Sequence, residues 1–376
     1  MLLLSGPNMG GNELKYVTEC IETGWVSSVG AYVDQFEKMS AAFAGTTYAV
    51  ATSSGTTALH ICLVMMDVKS DDYVIAPNIT FIATLNAIKY TGASPILIDT
   101  DENNWQMDMN LLQEFLENET EQKNGACHYK KDGRRIPVIM PVHVLGNIGN
   151  MDRLLAISRQ YNLIVIEDST EALGSYYRSK HAGSFGLMGT FSYNGNKIIT
   201  TGGGGMIVTD DEALAKKAKH LSTQAKSDPF EYIHDEIGYN YRLVNVAAAM
   251  GVAQMEQLPG FLKRKKEIIA YYKKELEGVG DIKFQQVSDE VNANWWLPTI
   301  FTARQKEILK ILNDHKMQSR PFWVPMNQLR MFKNDLYINK NDRSDFVYKH
   351  CLSIPCSTNI TDAEMEGVVE KIKEIF

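Results

Sequence analysis

Leu163-Ile-Val-Ile-Glu-Asp168 is a short apolar run closed by two acids, and the chain repeats this pattern on both sides of it. Runs of this length, rich in β-branched residues and separated by longer stretches of helical period, read as buried strands alternating with helices. Upstream stand Tyr48-Ala-Val-Ala-Thr52, Tyr73-Val-Ile-Ala76, Pro95-Ile-Leu-Ile-Asp99 and the run from Ile136 to His143. Downstream stand Gly189-Thr-Phe-Ser-Tyr193 and Gly205-Met-Ile-Val-Thr209. Helices are expected between them over 56–66, 82–90, 109–118 and 154–161. The alternation predicts an α/β fold, a mostly parallel sheet wrapped by helices, with ligands held at the carboxyl ends of the strands.

The pattern changes after about residue 250. Ala247 to Gly278 reads as one or two long helices broken near Pro259-Gly260, because proline cannot donate within a helix and clashes with the preceding turn. A mixed segment around Trp295-Trp296-Leu297 follows, then helices over 302–315 and 361–375, the last with Thr361 as N-cap. We therefore expect a large unit over 1–250 and a smaller C-terminal α/β unit over 251–376. The charged stretch Ala126 to Arg135 reads as a solvated surface loop or hairpin.

Composition narrows the classes of function. The chain has 376 residues, 44% hydrophobic and 22% charged, with a formal net charge of −7, which speaks against a nucleic-acid partner. No apolar run is long enough to span a membrane, and Met1-Leu-Leu-Leu is too short and too uncharged for a signal peptide. The five cysteines are scattered without the paired spacing of a zinc site, so no metal is expected, and free thiols suit a reducing cytoplasm. Neither a dinucleotide fingerprint nor a phosphate loop with its own lysine is present, which disfavours a nicotinamide oxidoreductase and a magnesium role for Asp168.

Chemistry concentrates in Phe191-Ser-Tyr-Asn-Gly-Asn-Lys197, followed by four glycines from Gly202 to Gly205. A strand there delivers one lysine to the ligand end of the sheet. Free lysine is mostly protonated at neutral pH and a poor nucleophile; burial beside a ligand favours the neutral amine or an imine. Asp168 ends a strand at the same end and could either cap a helix or keep a pyridine nitrogen protonated. A Schiff-base lysine and an acid for the ring nitrogen are what a pyridoxal phosphate site requires. Ser53-Ser-Gly-Thr-Thr57 sits between a strand and a helix, where hydroxyls and free amides serve equally as a helix cap or as a phosphate cradle.

Ser54-Gly-Thr-Thr-Ala-Leu-His60, Thr80-Phe-Ile-Ala-Thr84, Pro141-Val-His143, Glu167-Asp-Ser-Thr-Glu-Ala-Leu-Gly174, Gly183-Ser-Phe-Gly186, Phe191-Ser-Tyr193 with Lys197, and Gly238-Tyr-Asn-Tyr-Arg242 follow one another in this order. Together they resemble the DegT/DnrJ/EryC1/StrS sugar aminotransferases over nearly the whole chain. Gly24-Trp-Val-Ser-Ser-Val-Gly30 and the run from Asn194 to Gly205 look most like the C4 aminotransferases of the bacillosamine and legionaminic acid pathways. The resemblance implies fold type I of the pyridoxal-phosphate-dependent transferases, the aspartate aminotransferase-like fold. It implies that Lys197 holds the cofactor and shuttles a proton, that Asp168 pairs the ring nitrogen, and that Phe81 lies against the ring. Gly55, Thr56 and Ser192 would bind the phosphate, joined by Asn240 from a second subunit of a homodimer. Glu171 departs from the glutamine or histidine of many relatives beside the phenolic oxygen, where an ionised carboxylate would repel a phenolate; we expect it protonated or turned away. Tyr193, often phenylalanine, is expected to pack with its hydroxyl bonded.

The expected activity is amino transfer from L-glutamate to C4 of a 4-keto-6-deoxy nucleotide sugar, with a UDP-linked 2-acetamido sugar as the acceptor. A C3 keto-sugar aminotransferase of the same family, or a non-catalytic cofactor- or sugar-binding protein, are the rivals. His143 reads as either a core histidine or a substrate contact, and Arg320 as either a surface residue or the partner of a carboxylate or phosphate. Trp25 could flank the sugar nucleotide.

Overall fold

The computed structural model describes residues 1–228 and 230–376. Its centre is an eight-stranded sheet whose strands we label β1 (Tyr48–Thr52), β2 (Tyr73–Pro77), β3 (Ser94–Ile98), β4 (Val138–Ile139), β5 (Ile164–Asp168), β6 (Met188–Ser192), β7 (Gly205–Thr209) and β8 (Leu336–Ile338). The spatial order is β1-β7-β6-β5-β4-β2-β3-β8. Every neighbouring pair is parallel except those made by β7, which runs against both β1 and β6. The mostly parallel sheet expected from the alternation is therefore present, and β5 begins one residue into its apolar run and ends with it at Asp168. β4 is shorter than the Ile136 to His143 run that suggested it.

Helices cover the sheet because its strands are buried on both faces. They are α1 (Glu13–Glu22), α2 (Ala31–Ala44), α3 (Gly55–Met65), α4 (Ala83–Tyr90), α5 (Met109–Glu119), α6 (Met151–Gln160), α7 (Glu212–Ser222), α8 (Asn245–Leu276), α9 (Gln305–Asp314), α10 (Arg343–His350) and α11 (Asp362–Lys373). Helix α8 is continuous across Pro259, so the break expected there does not occur. Pro259 and Gly260 lie on the exposed side of the helix, and α1 and α2 pack along α8.

A second sheet, antiparallel throughout, joins Lys283–Phe284, Thr299–Phe301, Cys351–Ser353 and Arg320–Pro321 in that order. The chain returns from this region to pair β8 with β3, and the boundary expected at residue 250 falls inside α8. The stretch Ala126 to Arg135 begins with the second strand of a hairpin, Thr120–Lys123 against Ala126–Tyr129. Its arginines are engaged: Arg135 pairs with Asp72 at 2.6 Å, and the Arg134 guanidinium lies 3.8 Å from the centre of the Tyr73 ring.

Candidate active site

The carboxyl ends of β1, β5 and β6 open onto a cavity of about 400 Å³ closed on its other side by the second sheet. Gly55, Thr56, Phe81, Ser192, Lys197 and Arg320 line it, six of the residues singled out from the sequence.

Its anion end is built at the start of α3. Ser54 caps the helix by accepting from the Thr57 amide, while the Thr57 hydroxyl accepts from the Ser54 amide. The amides of Gly55 and Thr56 precede the first intrahelical bond and point out of the helix end, as first-turn amides must. A β-carbon on Gly55 would stand 2.9 Å from the Ser192 β-carbon and 3.0 Å from the Thr170 methyl, so glycine is what lets the helix end close on the Ser192 hydroxyl. Gly205 has the same role from below: a β-carbon there would lie 2.3 Å from the Ser54 carbonyl oxygen. The cap and the cradle are thus one structure, and the two readings of the serine–threonine motif do not compete.

Asp168 and Glu171 stand buried behind the cavity lining. The Asp168 carboxylate accepts from the Thr84 hydroxyl at 2.6 Å and from the Thr170 hydroxyl at 2.7 Å. The oxygen that meets Thr170 also accepts the Thr170 amide at 3.2 Å, whereas the one that meets Thr84 keeps a lone pair for a further donor. Phe81 is 52% exposed on the cavity wall and offers it an aromatic surface. Such a face, an anion cradle and a buried carboxylate fit a flat phosphorylated heterocycle.

Lys197 leaves a tight turn in which its amide bonds the Asn194 carbonyl at 3.0 Å. Its Nζ lies 4.0 Å from Glu171 and 3.9 Å from the centre of the Trp296 ring. Burial pulls the amine below the ordinary lysine range, against the opposing pull of Glu171 and Asp168. Burial raises the Glu171 carboxyl to about 7, partly offset by Lys197 and by the Leu145 amide, which donates to it at 2.8 Å. A weakened base beside a weakened acid is the electrostatic signature of a functional site. Tyr193 is fully buried with its hydroxyl 3.2 Å from that of Ser40, so it packs with its hydroxyl bonded, as expected.

Three residues from the sequence reading are elsewhere. His143 is corrected from substrate contact to structural residue: it is 1% exposed, lies outside the cavity lining, and its Nε2 donates to the buried Glu167 at 2.8 Å. That carboxylate also accepts the amides of Gly183, Phe185 and Gly186, which explains why a histidine and a glycine-rich turn occur together. Trp25 is 58% exposed and lies outside the cavity, its carbonyl accepting from Asn245. Asn240 is also outside and exposed, its side-chain oxygen accepting from Arg242. Sequence reading missed Leu4, Thr170, Trp296 and Trp323, which also line the cavity. No local pattern announces that residues from the two ends of the chain fold over a strand end in its middle.

With this geometry established, relatives can be compared. The model of the DegT/DnrJ/EryC1/StrS aminotransferase family matches residues 7–373. A GDP-perosamine synthase of Escherichia coli O157:H7 is 35% identical, over 98% of this chain and 97% of that protein. A GDP-perosamine synthase of Caulobacter vibrioides is 34% identical, over 99% and 98%. Among solved structures, the aminotransferase TlmJ from Streptoalloteichus hindustanus superposes with a TM-score of 0.90 at 23% identity, covering 100% of this chain and 98% of that one. The architecture is that of the fold type I pyridoxal-phosphate-dependent transferases.

Proposed function

Because the chain belongs to the DegT/DnrJ/EryC1/StrS aminotransferase family, whose cofactor is pyridoxal phosphate, we propose that it moves an amino group from L-glutamate to C4 of a 4-keto-6-deoxy nucleotide sugar. One observation supports the assignment of roles: Lys197, the Gly55–Thr56 helix end, Ser192 and Phe81 converge on a single cavity, with Asp168 behind it. When bound, pyridoxal phosphate supplies an electron-accepting ring through which an amino group passes between two carbonyl compounds.

The chain's own residues do the rest. The Gly55 and Thr56 amides and the Ser192 hydroxyl hold the phosphate dianion at the positive end of α3. Asp168, fixed by Thr84 and Thr170, keeps a proton on the ring nitrogen by offering it a buried negative charge. Phe81 covers one ring face and excludes water from it. Lys197 serves first as the nucleophile and then carries a proton at Nζ, a task that its lowered basicity suits. Glu171, its carboxyl raised to about 7, donates to the phenolic oxygen in its protonated form instead of repelling it. Asn240, exposed in one chain, reaches the phosphate of a second copy in a homodimer. Arg320, on the wall contributed by the second sheet, takes the glutamate carboxylate or a substrate phosphate. The main sheet carries the cofactor residues, and the C-terminal region that packs beside it contributes Trp296, Arg320 and Ser353 to the cavity.

The names of the two perosamine synthases favour a GDP-linked acceptor over the UDP-linked 2-acetamido sugar that the branch resemblance implies. Purified enzyme with L-glutamate should aminate a GDP-linked 4-keto-6-deoxy sugar with ping-pong kinetics. Turnover confined to 3-keto sugars would contradict the C4 assignment, and preference for the UDP-linked acceptor would restore the earlier expectation.

A further inference from the structure

Trp295-Trp296-Leu297 was unexplained by the sequence, and in the structure it reaches the reactive lysine from another part of the chain. Trp296 is 3% exposed, yet its ring face is turned to Lys197 Nζ. Three bonds fix that ring. The indole N–H donates to the carbonyl of Asn196, the residue before Lys197, at 2.7 Å. The Trp296 amide donates to the Asn294 side chain at 2.9 Å, and that side chain also donates to the Glu171 carbonyl at 2.9 Å. The Trp296 carbonyl accepts from Lys265 at 2.8 Å.

Lys265 is itself unusual. It is 1% exposed in α8, and its Nζ is 2.7 Å from the Cys356 carbonyl and 3.3 Å from the Cys356 sulfur, as well as bonding Trp296. A buried lysine held by carbonyls and a thiol is an expensive tie, and this one joins α8, the Trp296 segment and the end of the second sheet.

We propose that Trp296 is a catalytic residue that seats the free Lys197 amine on its ring face during amino transfer, and that Lys265 is the positioning residue that holds Trp296 there. This rests on Lys197 being the cofactor lysine. Indole is the best aromatic partner for a cation, and the attraction is strongest where water is excluded. The seat works with Asp168, at the end of β5, and with Glu171, in the turn after it, whenever that carboxyl is ionised, and it opposes the burial that would otherwise strip the proton from the amine. Once the released amine has taken up a proton, the Trp296 face holds the ammonium beside the reacting atoms instead of letting it swing into the rest of the cavity.

The test uses cofactor-free protein, trace-acylated at graded pH, with Lys197 read by peptide mass spectrometry. Trp296→Leu should lower the midpoint of Lys197 reactivity by about one pH unit, a roughly tenfold change. Trp296→Phe, which keeps a ring face, should shift it less. Lys265→Met should shift it in the same direction, and should add little in the Trp296→Leu background. An unchanged midpoint in Trp296→Leu, or equal shifts in the Leu and Phe variants, would overturn the seat; additive effects would overturn the role of Lys265. Borohydride fixation of pyridoxal phosphate on Lys197 of wild-type protein separates the two ideas. Fixation with an unmoved midpoint sinks the seat alone, and fixation on another lysine sinks both.

Discussion

At Glu171 burial opposes ionisation, the Lys197 charge and the Leu145 amide favour it, and Asp168 opposes it again, leaving the carboxyl at about 7. In an unfolded chain the same group ionises near 4.5, so its stabilising contribution is complete below that pH and is lost as pH rises through about 7. Glu171→Gln removes the titration while keeping the shape. Cofactor-free wild type should therefore lose more thermal stability between pH 5 and pH 8 than Glu171→Gln does, measured by calorimetry at both values. Cofactor affinity near neutral pH should change little, since an amide donates where the protonated acid did; a sharp fall would mean that the ionised form is the one used. Single residues of this kind were legible to different degrees. Lys197 and Asp168 were visible because the ends of apolar runs mark the ligand end of a parallel sheet, whereas Ser192 came only from the family resemblance. His143 was left open between core and substrate for the same reason: the end of a run does not say which way a side chain turns, and the four-donor shell around Glu167 draws this one inward.

Among the elements, α8 shows where local rules yield to packing. Proline inside a helix costs about 3 kcal/mol relative to alanine. Here 32 residues run through it, because both α1 and α2 lie against the helix and Pro259 faces solvent. Pro259→Ala should restore one backbone bond and raise the thermal midpoint of the cofactor-free protein, by the equivalent of about 1 kcal/mol or more after the greater freedom of the unfolded chain is counted. A lower midpoint would mean that the proline is part of the packing. Helices α1 and α2 were not read from the sequence: they begin at Asn12 and Gly30, neither of which makes a side-chain cap bond. The last helix shows the contrary case, its start legible because Thr361 and Glu364 form a complete capping box. The Trp295-Trp296 segment carried no signal of its destination, which is set by the tie to Lys265 and not by any local period.

For the whole molecule, the cavity is assembled from distant parts of the chain, from Leu4 to Ser353, so the order of strands could be read but not which segment closes over them. The proposed homodimer adds one more contributor. If Asn240 serves the partner's phosphate, mixing inactive Lys197→Ala with an Asn240→Ala variant weakened in cofactor binding should restore one of the two sites in each hybrid dimer. No gain over the separate variants would place each site within one chain. The most direct measurement concerns Lys197 itself. Purified protein incubated with pyridoxal phosphate and reduced with borohydride should carry the cofactor on the Lys197 peptide, and Lys197→Ala should carry none while keeping its fold. Wild-type protein that remains unlabelled, or labels equally at another lysine, would contradict the account.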